Sequence, residues 1–269
     1  DVDTTFVSAS APVNSFERQN NKDELYFSLF SPQETHRWPG NLKRYRFAMT
    51  DSSGNLNPRI VDQDGVTAVD PATGSFVSSA RSFWSATADG NDSAIGGAAS
   101  RLSSPASRKL YTYIGTSPSF AAPASLTSHP LASSNTSITN VPTMLNVAND
   151  TERAALFDFI RGLDPADGSE RKSVGDPIHS SPRLATYSCI TANANNSSLC
   201  DKDDQAAFIG TNEGFVQAFN TDTGAELFAF MPQELLPNIK KLKENTQTNT
   251  STNPRPYGMD NPVTLWVND

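Results

Sequence analysis

FIGTNEGFVQAFNTDTGAELFAFMP, residues 208–232, holds three short β-prone runs separated by two tight turns. Phe208 to Thr211 is the first run, and Asn212-Glu213-Gly214 offers a turn whose glycine is free to take a positive φ. Phe215-Val216-Gln217-Ala218-Phe219 resumes the strand, and Thr221-Asp222-Thr223-Gly224 turns the chain again. Glu226 to Met231 is the third run; it stops at Pro232, which has no N–H to give to a ladder. Three such strands make most of one β-propeller blade, a unit of four strands in roughly 40–50 residues. The expectation is an all-β fold, a modified β-propeller with long polar loop insertions and one or two short helices.

Upstream, Asp23 to Phe30 (DELYFSLF) reads as a strand. Gly40 to Phe47 (GNLKRYRF) sets Leu42, Arg44 and Arg46 against Lys43, Tyr45 and Phe47, the period of two of a strand with one aromatic face. Residues 1–22 are polar and read as an extended lead-in. Residues 51–76 carry turn chemistry around small strands, and Asp70-Pro71-Ala72-Thr73-Gly74 echoes Asp222-Thr223-Gly224. From 86 to 149 Ser, Ala, Thr, Asn and Pro dominate, and only Arg108 to Gly115 (RKLYTYIG) reads as a strand. Such composition predicts long polar surface insertions with little core. One helix follows: Asn149 caps it, Glu152 sits at the capping-box position, Ala155, Leu156, Phe159 and Ile160 share a face, and Gly162 stops it.

Beyond the helix, GDPIHSSPRLATY (175–187) predicts a turn and then a strand. MPQELLPNIKKLK predicts a short helical turn broken at Pro237, and KENTQTNTSTNP reads as polar and mobile. Val263 to Val267 is strand-like and Asn268-Asp269 opens a turn, so 1–269 is expected to be a single, partial propeller domain that continues further. The start at Asp1 without Met points to processing or a fragment.

The chain has 269 residues, 36% of them hydrophobic, enough for a substantial core, and a formal net charge of −8. Lys and Arg are scattered, which argues against nucleic acid as a partner. No window approaches the ~18 consecutive apolar residues of a membrane span. Cys189 and Cys200, the only cysteines, flank the polar loop ITANANNSSL, and neither has a His at zinc-ligand spacing. They suit a disulfide that staples a hairpin and an exported protein, worth about 2–3 kcal/mol in the chain-entropy model; two buried thiols are the alternative.

Candidates for chemistry are sparse. His36, His129 and His179 are too far apart in sequence for a local metal motif. His179 in DPIHSSP could activate Ser180 or Ser181 as a nucleophile, but no G-x-S-x-G elbow surrounds it, and a turn satisfied by imidazole and hydroxyls accounts for the same residues. No catalytic or cofactor-binding residue is predicted. Asp62, Asp64 and Asp70, and Asp201, Asp203 and Asp204, are weak calcium candidates, because spaced carboxylates suit a hard cation. Neither set fits D-x-[DN]-x-[DN]-G-x5-E, and a solvated acidic turn accounts for both. Asn135-Thr136-Ser137 and Asn196-Ser197-Ser198 match the glycosylation triplet, as polar composition alone produces.

In order along the chain, DELYFSLFSPQETHRWPGNLKRYRF, VDPATGSFVSSARSFWSA, RKLYTYIG, a helix ending FIRG, GDPIHSSP and FIGTNEGFVQAFNTDTGAELFAFMPQELLPNI resemble the C-terminal propeller region of type IV pilus tip adhesins and biogenesis proteins, the PilC and PilY group. The resemblance runs from about residue 15 to 269. It implies an exported cell-surface protein, outer-membrane associated or at the pilus tip, without enzymatic activity. It further implies partners among the minor pilins of the tip complex and a host-cell or abiotic surface, with a part in assembly and in balancing extension against retraction. Some members carry an EF-hand-like calcium loop late in the propeller; no such run occurs here, so calcium is implied only through the family and no functional residue carries over.

Two rival readings come from other classes. The TDTG hairpin is similar to quinoprotein blades, as in pyrroloquinoline-quinone dehydrogenases, but those enzymes typically carry adjacent cysteines, which Cys189 and Cys200 are not. A glycan-binding propeller would use Trp38, Trp84 and Trp266 as sugar platforms, although tryptophans in a β protein more often pack in the core.

Overall fold

The computed structural model describes residues 6–10, 23–115, 125–192, 194, 200–248 and 251–265. Phe6–Ser10 (β1), Glu24–Phe30 (β2), Gly40–Thr50 (β3) and Leu56–Val61 (β4) form a four-stranded antiparallel sheet in sequence order. β2 is buried along most of its length because both of its faces are covered. Leu25, Phe27 and Leu29 point to one apolar cluster with Tyr45 and Phe76, while Tyr26 points to another with Leu42 and Trp84. In the first cluster the rings of Tyr45 and Phe76 stack at 4.3 Å, and Phe27 meets Phe76 edge-on at 5.1 Å.

The second sheet begins with Leu110–Tyr111 (β5). After the helix Asp150–Arg161 (α1) come Arg183–Ala192 (β6), Cys200–Gly210 (β7), Val216–Asn220 (β8) and Glu226–Phe230 (β9), followed by a short helix, Asn238–Glu244 (α2). The sheet order is β5-β9-β8-β7-β6: a four-stranded antiparallel meander with β5 added in parallel beside β9. The turns are those the sequence demands. Gly214 adopts φ 98 and Gly224 φ 71, and a Cβ on Gly224 would lie 2.5 Å from the buried Trp84 ring. Tyr26 and Leu42 of the first sheet share a cluster with Ala207, Ile209 and Phe219 of the second, so the two sheets are joined by one apolar seam.

The chain is thus all-β with few helices, but among the described residues the two sheets do not close into a propeller. No described helix is long and apolar enough to cross a membrane.

GNLKRY is largely a packing signature. A Cβ on Gly40 would lie 2.3 Å from the carbonyl oxygen of Gly175. Asn41, fully buried, donates to the carbonyls of Ile95 and Gly96 and accepts from the N–H groups of Leu42 and Ala99. Lys43 is also fully buried: its ammonium donates to the carbonyls of Asp89 (2.7 Å) and Gly90 (3.0 Å) and pairs with the Asp89 carboxylate at 3.0 Å. Arg44 pairs with Glu24 at 3.2 Å and lies 4.7 Å over Phe83.

Several expectations change. The described part of 86–149 is largely irregular apart from β5 and short 3-10 turns, yet Leu110, Leu131, Ile138, Leu145 and Val147 enter the core with α1 and α2, so the reading of little core fails there. Ala98, Ala99 and Leu102 instead join the seam cluster with Tyr26 and Trp84, while Ile95 and Val141 stay exposed. β5 is only two residues long, shorter than RKLYTYIG suggested. On α1 the buried residues are Leu156, Phe157, Phe159 and Ile160; Phe157 takes the place expected for Ala155. Asn149 accepts from the N–H of Glu152 at 2.9 Å, Glu152 accepts in return from the N–H of Ala148, and Gly162 ends the helix at φ 105. The helical turn expected before Pro237 is the 3-10 turn Gln233–Leu235; Pro237 interrupts it and stands at the N-cap of α2, where a missing N–H costs nothing. The polar stretch expected to be mobile is tied down at Gln247, which bridges Thr35, and at Thr248, whose N–H donates to the carbonyl of Glu34. Residues 263–265 are not strand, and Val267, Asn268 and Asp269 lie outside the described residues. So do residues 1–5 and 11–22, while Phe6–Ser10 of the expected lead-in forms β1.

Candidate functional site

Segments distant in sequence converge where the turn after β7 meets the loop before β3: residues 33–39, 171–181, 211–214, 245–248 and 251–260. Glycines permit the close approach. A Cβ on Gly175 would lie 2.7 Å from the Glu213 side chain, one on Gly210 would lie 2.4 Å from the Met259 carbonyl oxygen, and one on Gly258 would lie 2.8 Å from the Gly214 backbone.

Asn212 is the hinge of the hydrogen-bond network. Its N–H donates to the Asp176 carbonyl, and its side-chain amide donates to Asp176 Oδ1 (2.9 Å) and Asp260 Oδ1 (3.1 Å). Its own Oδ1 accepts from the Gly258 N–H at 3.0 Å. Asp176, 1% exposed, also pairs with Arg255. Burial pushes its carboxyl above the usual range, and the Arg255 charge and the Asn212 hydrogen bond oppose that push. Arg255 donates to the His36 carbonyl and lies 3.8 Å over the Trp38 ring.

Arg171 holds Glu213 in a fork, with contacts of 2.8, 3.2 and 3.1 Å, and lies 4.7 Å over Phe159. Arg37 approaches the same ring at 5.3 Å. Gln33, Thr35, Arg37, Trp38, Pro39, Arg171, Ser173, Glu213 and Asn245 line an open pocket of about 320 Å³.

The structure brings together only some of the residues singled out in the sequence. His179 reaches Asp260 at 2.8 Å, but Ser180 is 1% exposed and its hydroxyl accepts from the Gly210 N–H at 2.8 Å, which makes it a structural group and not an exposed nucleophile. His36 contacts Asn253, and His129 lies 4.8 Å from the Tyr113 ring. Asp62 accepts from the N–H groups of Asp64, Val66 and Arg81, Asp64 pairs with Arg81, and Asp70 accepts from the Ala72 N–H. Among the described residues no three His, Cys, Asp or Glu side chains are grouped to hold a metal ion. Asp201 and Asp203, read as a loop, have backbone in strand β7, which extends away where a chelating loop would wrap; their side chains lie outside the described set.

Cys189 is disulfide-bonded and no described cysteine is free; the Cys200 side chain lies outside the described residues. Asn196-Ser197-Ser198 and Trp266 also lie outside them. Trp84 is 6% exposed and packs on Tyr26, and Trp38 carries Arg255 on its ring, so neither offers a bare platform to a sugar.

The sequence missed Arg37, Arg171, Arg255 and Asp260 because they share no local motif. GDPIHSSP and GTNEG supply Asp176, Asn212 and Glu213, so the two motifs were a partial pointer to the junction.

A stretch of 106 residues is 34% identical to the type IV pilus biogenesis factor PilY1 of Pseudomonas aeruginosa (strain UCBPP-PA14), covering 35% of this chain and 9% of that protein. The chain therefore spans a small part of the relative it matches. No family model and no solved structure matches the chain.

Proposed function

We propose that this chain is part of a type IV pilus protein that works through its surfaces and not through turnover, serving as a tip adhesin and in pilus assembly and retraction. The observation that carries the reading is the 34% identity over 106 residues to a type IV pilus biogenesis factor. Its partners are then the minor pilins of the tip and a host-cell or abiotic surface. The sheets support the accompanying fold proposal. β1 to β4 and β6 to β9 are each a four-stranded antiparallel meander, the strand count and connectivity of a propeller blade, and they meet along a shared apolar seam. A β-propeller region of an exported protein, with Cys189 paired to Cys200, is the architecture that goes with this function.

The test is to shear pili from the source cells, probe the fraction for this polypeptide, and compare surface piliation and attachment after deleting its gene. Co-purification with pili and lowered piliation or attachment support the proposal. Unchanged piliation and attachment, with the protein retained in the periplasm, overturn it.

A further inference from the structure

The pocket between the loop before β3 and the turn after β7 has an unbalanced charge. Arg37 and Arg171 line it, and Glu213 is the only carboxylate in the lining. Arg171 takes both oxygens of Glu213. Arg37 has no carboxylate or carbonyl partner for its guanidinium among the described residues, and its buried Nε is unsatisfied, as is that of Arg171. Both guanidinium groups lie against one Phe159 ring. Burial first, and then the Arg171 charge, hold Arg37 below its ordinary pKa, while the Glu213 and Asp164 carboxylates oppose that shift.

Other donors face the same space unused. Asn245 accepts from the Arg37 N–H through Oδ1 at 2.8 Å, which leaves its amide NH2 available, and the Ser173 hydroxyl has no partner among the described residues. Trp38 turns its N–H back to the carbonyls of Gln33 and Thr35, so it offers the pocket no free donor.

From this geometry we infer that the pocket binds the carboxylate of an acidic sugar residue, with the Arg37 guanidinium as its principal contact. Within the lining two cations face one carboxylate, and Asp164 adds a further negative charge near Arg37 from outside it, so the site suits a monoanion better than a dianionic phosphate. A volume of about 320 Å³ exceeds the need of a bare carboxylate, and the hydroxyl and amide groups of the lining suit the hydroxyls of a sugar ring. The planar guanidinium fork is the group that recognises a carboxylate by two parallel hydrogen bonds. The site rests on these residues alone and stands whether or not the chain acts at a pilus.

The experiment is calorimetric titration of the full chain at low salt with sodium glucuronate, with glucose as the neutral match and inorganic phosphate as the dianion. Glucuronate is expected to bind, with glucose at least about tenfold weaker. Arg37→Gln is expected to weaken glucuronate by roughly ten- to a hundredfold, the span of a charge-assisted hydrogen bond. Asn245→Asp is the second variant: it keeps an acceptor for the Arg37 N–H, tolerates the left-handed backbone at φ 48, and adds a repelling charge. It is expected to weaken glucuronate by a larger factor than glucose, since both lose the amide donor but only glucuronate meets the added charge, which tests the site even if Arg37→Gln unfolds. Glucuronate binding no tighter than glucose, phosphate binding tighter than glucuronate, or glucuronate affinity unchanged in either folded variant overturns the proposal.

Discussion

Replacing Asp89 by Ala should be among the most damaging single changes in this protein. Its carboxylate is 1% exposed and the paired Lys43 side chain is 0% exposed. The change removes the counter-charge 3.0 Å from the ammonium and leaves Lys43 only the carbonyls of residues 89 and 90. It also strips acceptors from the Ser82 N–H (2.8 Å), the Ser82 hydroxyl (2.7 Å) and the Ser85 hydroxyl (2.9 Å). Breaking one side of a buried pair costs about 3–5 kcal/mol, a large share of the roughly 5–15 kcal/mol that stabilises a domain. Burial already lowers the Lys43 pKa while Asp89 opposes the shift, so the lone lysine should lose its proton more readily in the variant. Urea unfolding at neutral pH, with the slope checked for constancy, reads the loss. The double change Lys43→Met with Asp89→Asn removes both charges and keeps an acceptor for Ser82, and should recover at least half of it. A loss below about 1 kcal/mol for Asp89→Ala would refute the idea that a dry ion pair anchors GNLKRY to the following loop.

Gly175→Ala should destabilise by about 1–3 kcal/mol, because the new methyl must displace the Glu213 side chain, 2.7 Å away; wild-type stability in a urea melt would contradict that packing. Arg108→Lys should cost roughly 1.5–3 kcal/mol in the same assay. The guanidinium holds both oxygens of Glu226 at 2.7 and 2.8 Å and reaches the carbonyls at the end of α1, contacts that an ammonium cannot make together; an unchanged midpoint would count against the fork. The Asp64 carboxyl should titrate below the usual range, chiefly through its hydrogen bond to Arg81. Its folded pKa is depressed, so its contribution to stability is present above the unfolded value of about 3.9 and is lost as pH falls through the folded value. Arg81→Gln should return the NMR midpoint to the ordinary range, and an unmoved midpoint would show that Arg81 is not the cause.

The sequence by itself determined what depends on neighbours along the chain. The three strands and two glycine turns of 208–232, the alternation in GNLKRYRF, and the Asn149 and Gly162 ends of α1 all follow from side-chain period, proline and glycine geometry and local capping. Tertiary structure decided what depends on residues far apart. Leu131, Ile138 and Leu145 stand in a stretch too polar to look like core, and only packing against α1 and α2 buries them. The period places Lys43 on the aromatic face of its strand, but only the fold brings Asp89 over it, and a lysine enters a core only with its charge matched. The candidate pocket was illegible for the same reason. Arg37, Arg171, Glu213 and Asn245 come from segments with no shared periodicity, and their charge balance exists only once the chain has brought them within hydrogen-bonding distance.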